Sequence, residues 1–238
     1  MANSNQLREN KNQHKPKNKQ SKVADKDIYL AMTDIKNYLE ERFEKWLEER
    51  DLVIKYEKNL SFDTMINLIK IKNIRNVFDE NFSTRTIKPD GGVLILRKES
   101  DQKYYKVIII AETKHQGTND LRLKEGLRKQ AQGNAIERLG KNLTGIRAMF
   151  NHEKITPFVC FGSGYDFKEK QGFVMSKISM LNEFYYLNRI YVNKVDGTSD
   201  LNYFSPVSMY FRYDNWTRKE MFEIMKEISE TAIRYYLF

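Results

Sequence analysis

Apolar residues return along this chain in three rhythms, and each rhythm predicts an element. Ile28, Met32, Ile35, Leu39, Phe43, Trp46 and Leu47 recur every three or four positions, so a long amphipathic helix is expected from about Asp25 onward. Residues 52–58 alternate as a strand does, and 62–71 read as helix. Residues 92–99 and 104–114 carry unbroken apolar runs. Such runs suit central strands covered on both faces, with Ser100, Asp101, Gln102 and Lys103 as the turn between them. Residues 120–150 predict mainly helix with a break near Gly133. Further on, 157–162 suits a short buried strand, 174–186 a helix, and 189–193 and 207–213 strands. Over 217–236, Met221, Ile224, Met225, Ile228 and Ala232 share one helical face, a candidate contribution to a subunit interface. Residues 74–86 follow no clear rhythm.

Strands and helices that interleave without an internal repeat predict one mixed α/β domain over residues 25–238. Residues 1–24 stand apart. Arg8, Lys11, Lys15, Lys17, Lys19 and Lys22 face a single acid, Glu9, with almost no apolar residues among them. This segment cannot supply a core and is expected to be a disordered basic arm. It serves either as a solubilising tail or as a segment that settles on nucleic acid phosphates.

Composition narrows the function. With 40% hydrophobic residues the chain can build a core, and 41 basic against 32 acidic residues leave a net charge of +9, which suggests an anionic partner. One cysteine excludes a disulfide framework and a multi-cysteine zinc site. His14, His115 and His152 are too few and too scattered for a histidine-based metal site. No apolar run approaches the length of a membrane span and the N-terminus lacks a secretory apolar stretch, so a cytoplasmic protein is expected.

Charged residues at strand ends are the candidate chemistry. Glu112 and Lys114 close an otherwise apolar run, where an unpartnered charge would cost several kcal/mol. Strand alternation puts Glu112 and Lys114 on one face and Thr113 on the other. If the two apolar runs pair as a hairpin about Asp101, opposed residues sum to about 202, and Asp90 then falls opposite Glu112. Two carboxylates and an amine converge at one sheet end. A divalent cation would relieve the repulsion between the acids, Mg²⁺ being suited to oxygen ligands that also engage phosphate, and the Thr113 carbonyl could add a third ligand. Lys114 could orient or deprotonate a water, or neutralise transition-state charge. The plainer alternatives are a Pro-Asp-Gly-Gly turn and a lysine–carboxylate pair at a strand end.

A second cluster is Gly133, Asn134, Ala135, Ile136, Glu137 and Arg138. Asn134 and Arg138 lie four apart on one helical face, and those side chains can make paired hydrogen bonds to adenine and guanine edges. Gly133 would allow close backbone approach, and Glu137 could hold its neighbours in place. A capped helix start with a surface Glu–Arg face remains the alternative.

Taken together, the segments around Pro89–Asp90–Gly91–Gly92, Glu112–Thr113–Lys114 and Gly133 to Arg138 resemble EcoRI-like type II restriction endonucleases of the PD-(D/E)xK superfamily, in order and in spacing. The likeness runs from about Lys58 to the C-terminus and includes 221–225. It implies a restriction-endonuclease-like fold, a central mixed β-sheet flanked by helices. It also implies a homodimer that cuts double-stranded DNA at a palindromic hexanucleotide using Mg²⁺, with a partner methyltransferase protecting the host. The same resemblance implies Asp90 and Glu112 as metal ligands and Lys114 as the catalytic lysine. Asn134, Ala135 and Arg138 would read an AATT core, Lys88 and Lys141 would approach phosphates, Gln116 would lie close to the bases and His115 would support the site. Gln132 departs from the family's alanine beside the outer base pair, for which GAATTC is the first choice. Thr113 also replaces an alanine, and its side chain is expected to point away from the site. A structure-specific or repair nuclease on the same scaffold would need the acids but not the Asn134–Arg138 pair. A non-catalytic DNA-binding protein would need neither Asp90, Glu112 nor Lys114.

Overall fold

The computed structural model of the chain describes residues 17–71, 86–101, 104–115, 134–150, 155–164 and 207–238, with the positions 122, 125–128, 153, 167 and 176–177 between them. Its elements are α1 (Lys17–Glu49), β1 (Leu52–Glu57), β2 (Leu60–Ser61), α2 (Phe62–Ile71), β3 (Thr86–Ile87), β4 (Gly92–Lys98), β5 (Tyr105–His115), α3 (Asn134–Met149), β6 (Phe158–Ser163), β7 (Val207–Arg212) and α4 (Arg218–Leu237). The expected central mixed sheet flanked by helices is present. Five strands run in the order β1-β4-β5-β6-β7, with β2 and β3 forming a separate two-stranded ribbon. β1, β4 and β5 pair antiparallel, whereas β5, β6 and β7 pair parallel. None of the described helices is long and apolar enough to cross a membrane.

The sheet separates two cores. On one side α1 and α4 bury Ile28, Met32, Ile35, Leu39, Phe43, Met221, Met225 and Ile233 against Leu94, Leu96, Ala111, Val159 and Phe161. On the other, Leu139, Leu143 and Ile146 of α3 pack on Val93, Ile95, Val107, Ile110, Phe158 and Cys160. The periodic residues of α1 and α4 are therefore core residues, as their spacing predicts. The apolar face of α4 is covered within the chain by α1 and β5, which removes it as a candidate subunit interface.

Three boundaries differ from expectation. α1 begins at Lys17, so residues 17–24, expected to belong to the disordered arm, carry helical backbone. Residues 125 and 126 form a turn, with Gly126 at φ +69°, where helix was expected. The third is the β4–β5 register. Arg97 opposes Tyr105 and Ile95 opposes Val107, which fits the sum of 202, but Leu94 opposes Ile109 and Gly92 opposes Ala111, a sum of 203. Ile108 is the extra residue of a β-bulge. The bulge changes which residues face which helix. Tyr105 and Val107 face α3 before it, while Ile110 faces α3 after it and Ile109 and Ala111 turn to α1. Residues 74–85, the expected helix over 174–186 apart from 176–177, the expected strand over 189–193, and 120–121, 123–124 and 129–133 of the expected helix with its break at Gly133 lie outside the described residues.

Candidate active site

The acidic site forms where β5 leaves the bulge. Asp90 is presented by a tight turn closed by Gly92 N–H donating to the Pro89 carbonyl at 3.0 Å. Both glycines of that turn are needed. A Cβ on Gly91 would come within 2.8 Å of Ile28 Cγ1 and 2.9 Å of Ala111 Cβ, and Gly92 has φ +78° with the Tyr56 hydroxyl 2.5 Å from where a Cβ would stand. Gly91 N–H donates to the Ala111 carbonyl at 3.0 Å, which fixes the turn against β5.

With the register moved by one, Asp90 meets Thr113 as well as Glu112. Asp90 N–H donates to Glu112 Oε2 at 3.0 Å, and Thr113 N–H donates to Asp90 Oδ2 at 3.3 Å. The Lys114 ammonium lies among the oxygens. It bonds Glu112 Oε1, Asp90 Oδ2 at 3.3 Å and the Thr113 carbonyl at 2.9 Å. Asp90, Glu112 and the Thr113 carbonyl are the cation ligands expected from the sequence, and a positive charge already sits among them. Burial pushes the Glu112 carboxyl above its ordinary pKa, against the pull of Lys114, and Asp90 adds to the rise. Burial also works against the Lys114 charge, but Glu112 and Asp90 outweigh it and hold the ammonium above the usual lysine range. Among the described residues no group of three His, Cys, Asp or Glu side chains gathers to hold a metal ion. The donor set that fits a hard divalent cation is two carboxylates and one carbonyl.

Thr113 requires a correction. Its side chain does lie on the face opposite Glu112, but it does not leave the site. Asp90 reaches past the sheet end, and Thr113 Oγ1 is 3.3 Å from Asp90 Oδ2 and 3.3 Å from Asp25 Oδ1 on α1. Asp25 escapes a reading of the sequence, being 88 residues away in the polar lead of a helix. Its carboxyl is raised, first by burial and then by Asp90. His115 Nδ1 lies 3.1 Å from Ser163 Oγ, a contact apart from the acidic cluster.

α3 begins at Asn134, inside the Gly133–Arg138 motif. Ile136 is buried and packs with Phe167, Met209 and Phe211. Phe211 opposes Gly162 in the β6–β7 pair, and Gly162 opposes Lys114 in the β5–β6 pair. A Cβ on Gly162 would run into the Phe211 ring, so the glycine lets this packing close beside the acidic end of β5. Arg138 and Lys141 are exposed on α3, as is Lys88 before the turn. Glu137 pairs with Lys177, which lowers its pKa. Gln116, Gln132 and Gly133 lie outside the described residues, as do the side chains of Asn134 and Ala135.

The family model for restriction endonuclease EcoRI matches residues 11–207. The chain belongs to the EcoRI restriction endonuclease family. The match begins well before Lys58, takes in α1 and its Asp25, and ends before 221–225. Type II restriction enzyme EcoRI of Escherichia coli is 29% identical over 184 residues, covering 64% of this chain and 65% of that enzyme. Type II restriction enzyme RsrI of Cereibacter sphaeroides is 28% identical over 181 residues, covering 63% and 64%. The chain thus spans just under two thirds of the length of each of these relatives. The mixed sheet between helical layers agrees with the α/β fold of this EcoRI family.

Proposed function

We propose that this protein is a type II restriction endonuclease that uses Mg²⁺ to hydrolyse both strands of double-stranded DNA at a palindrome with an AATT core, GAATTC being the first sequence to test. It would act as a homodimer in the cytoplasm, beside a methyltransferase of the same specificity. The observation that carries the reading is the Lys114 ammonium held among Asp90, Glu112 and the Thr113 carbonyl at one end of the sheet. Family membership and the two restriction enzymes it resembles support the same conclusion.

Asp90, Glu112 and the Thr113 carbonyl would hold the divalent cation. Bound there, a cation lowers the pKa of water and offsets negative charge at phosphorus. The chain's own residues do the rest. Asp90 and Glu112 supply the negative charge that attracts the cation, and the hydrogen bond from Asp90 N–H to Glu112 keeps that carboxylate in place. Lys114 keeps its proton under the influence of both acids, so its part is a positive charge beside the phosphate. Arg138 makes no ion pair among the described residues and stands exposed on α3, as a base-reading side chain requires. Lys88 and Lys141 are exposed cations suited to flanking phosphates.

Plasmid digestion tests the reading. With Mg²⁺ the protein should give discrete fragments whose ends sequence to one palindrome. Asp90→Ala should abolish cutting while specific binding persists. Asn134→Ala should lose about 1–3 kcal/mol of discrimination per half-site within AATT. Cutting by Asp90→Ala at the wild-type rate would remove the proposed site, and a smear of products would remove the proposed specificity.

A further inference from the structure

We propose that Asp25 is a positioning residue of the acidic site and acts on Asp90 through the Thr113 hydroxyl; the inference rests on the metal-dependent reading above. A carboxylate turns easily about its last torsion, so one that must offer a single oxygen to a cation needs its other oxygen held. Asp90 Oδ2 is the held oxygen, with Thr113 N–H, Thr113 Oγ1 and Lys114 Nζ each 3.3 Å away. All three hydrogen bonds fall on Oδ2, which leaves Oδ1 for the cation.

Of these donors, only the hydroxyl is itself steered from another element. Thr113 Oγ1 has one proton and lies 3.3 Å from each of two carboxylates, Asp25 Oδ1 and Asp90 Oδ2, so the proton is shared between them in a three-centre hydrogen bond. By accepting its share of that bond, Asp25 fixes the rotamer of Thr113. The connection also reaches across layers, because α1 lies on the face of the sheet opposite α3. An alanine at position 113 could not make it, so the connection depends on the threonine this chain carries.

Calorimetric titration of Mn²⁺ alone into the full-length protein tests this without relying on cleavage. Wild type should bind, and Asp90→Ala should not. Asp25→Ala and Thr113→Ala should each weaken Mn²⁺ binding by about 10-fold, the size expected when a group orienting a metal ligand is removed. The double variant should be no weaker than either single one, since both act along one path. Thr113→Ser keeps the hydroxyl and should bind as wild type does. Melting in EDTA separates folding defects from reduced affinity, and the comparison of Thr113→Ser with Thr113→Ala stands even if Asp25→Ala does not fold. Wild-type affinity in both Asp25→Ala and Thr113→Ala, with Asp90→Ala inactive in binding, would overturn the proposal and leave the metal reading intact. Reductions that add in the double variant would also overturn it. Absence of Mn²⁺ binding by the wild type would overturn the metal reading and this inference with it.

Discussion

Lys114 and Glu112 form a buried pair, with side chains 15% and 4% exposed. Removing one partner of such a pair leaves a charge without compensation and costs about 3–5 kcal/mol. In Lys114→Ala, Glu112 would have burial and Asp90 against its charge and no cation in its favour. The sign follows from the raised carboxyl. A group whose folded pKa lies above its unfolded value of 4.5 contributes most below that value, and the contribution is lost as pH rises through the folded pKa. Lys114→Ala should therefore melt near wild type at about pH 4 and progressively lower toward neutrality, measured in EDTA. An equal deficit at every pH would show that Glu112 does not feel the change. At this scale the sequence was informative about which residues carry charge and silent about direction. Alternation correctly separates Thr113 from Glu112, yet the Thr113 hydroxyl still reaches the site because Asp90 arrives from beyond the sheet end.

Elements were legible where their pattern was uneven. α1 and α4 announce a buried stripe because polar residues interrupt it. β5 does not announce its bulge, because 107–111 are all apolar and no polar residue marks which way each one faces. The start of α4 illustrates a local signal with a measurable effect. Thr217 caps the helix and forms a capping box with Glu220, whose carboxylate also receives two hydrogen bonds from Arg212 at 2.7 and 2.6 Å. Arg212 and then Thr217 lower the Glu220 pKa to about 2. A depressed carboxylate stabilises above its unfolded value of 4.5 and loses that effect as pH falls toward 2. The site is solvent-exposed, so screening keeps the contribution small, on the order of 1 kcal/mol. Glu220→Gln should lower the melting temperature by a few degrees at pH 7 and match wild type near pH 2.

On the scale of the whole molecule, α1 joins the basic N-terminal region to the acidic end of the sheet. Its residue Asp25 touches Thr113, while Lys17, Lys19 and Lys22 lie within eight residues upstream. Residues 1–16 add Arg8, Lys11 and Lys15. Deleting 1–16 leaves α1 intact and should weaken binding to all DNA without changing the preferred site. The slope of log affinity against log salt should flatten by about 0.9 for every phosphate that the shortened protein no longer neutralises. A changed cleavage sequence would make this segment a reader of bases. A palindrome read by identical subunits also requires two-fold symmetry, so sedimentation with cognate DNA should give a dimer's mass. Neither the closeness of α1 to the acids nor the partnership of α1 with α4 follows from local pattern, since both join segments far apart in the chain.

The Tyr236 hydroxyl on α4 donates to the Val107 carbonyl at 3.0 Å, one residue before the bulge that aims Glu112 and Lys114. Ribosomes make α4 after every other described element. A growing chain thus holds Asp90, Glu112 and Lys114 for more than a hundred residues of synthesis before the helix that covers the back of their sheet emerges. The two acids and their lysine are thus laid down early, and the helical backing that steadies their strand is the last part to arrive.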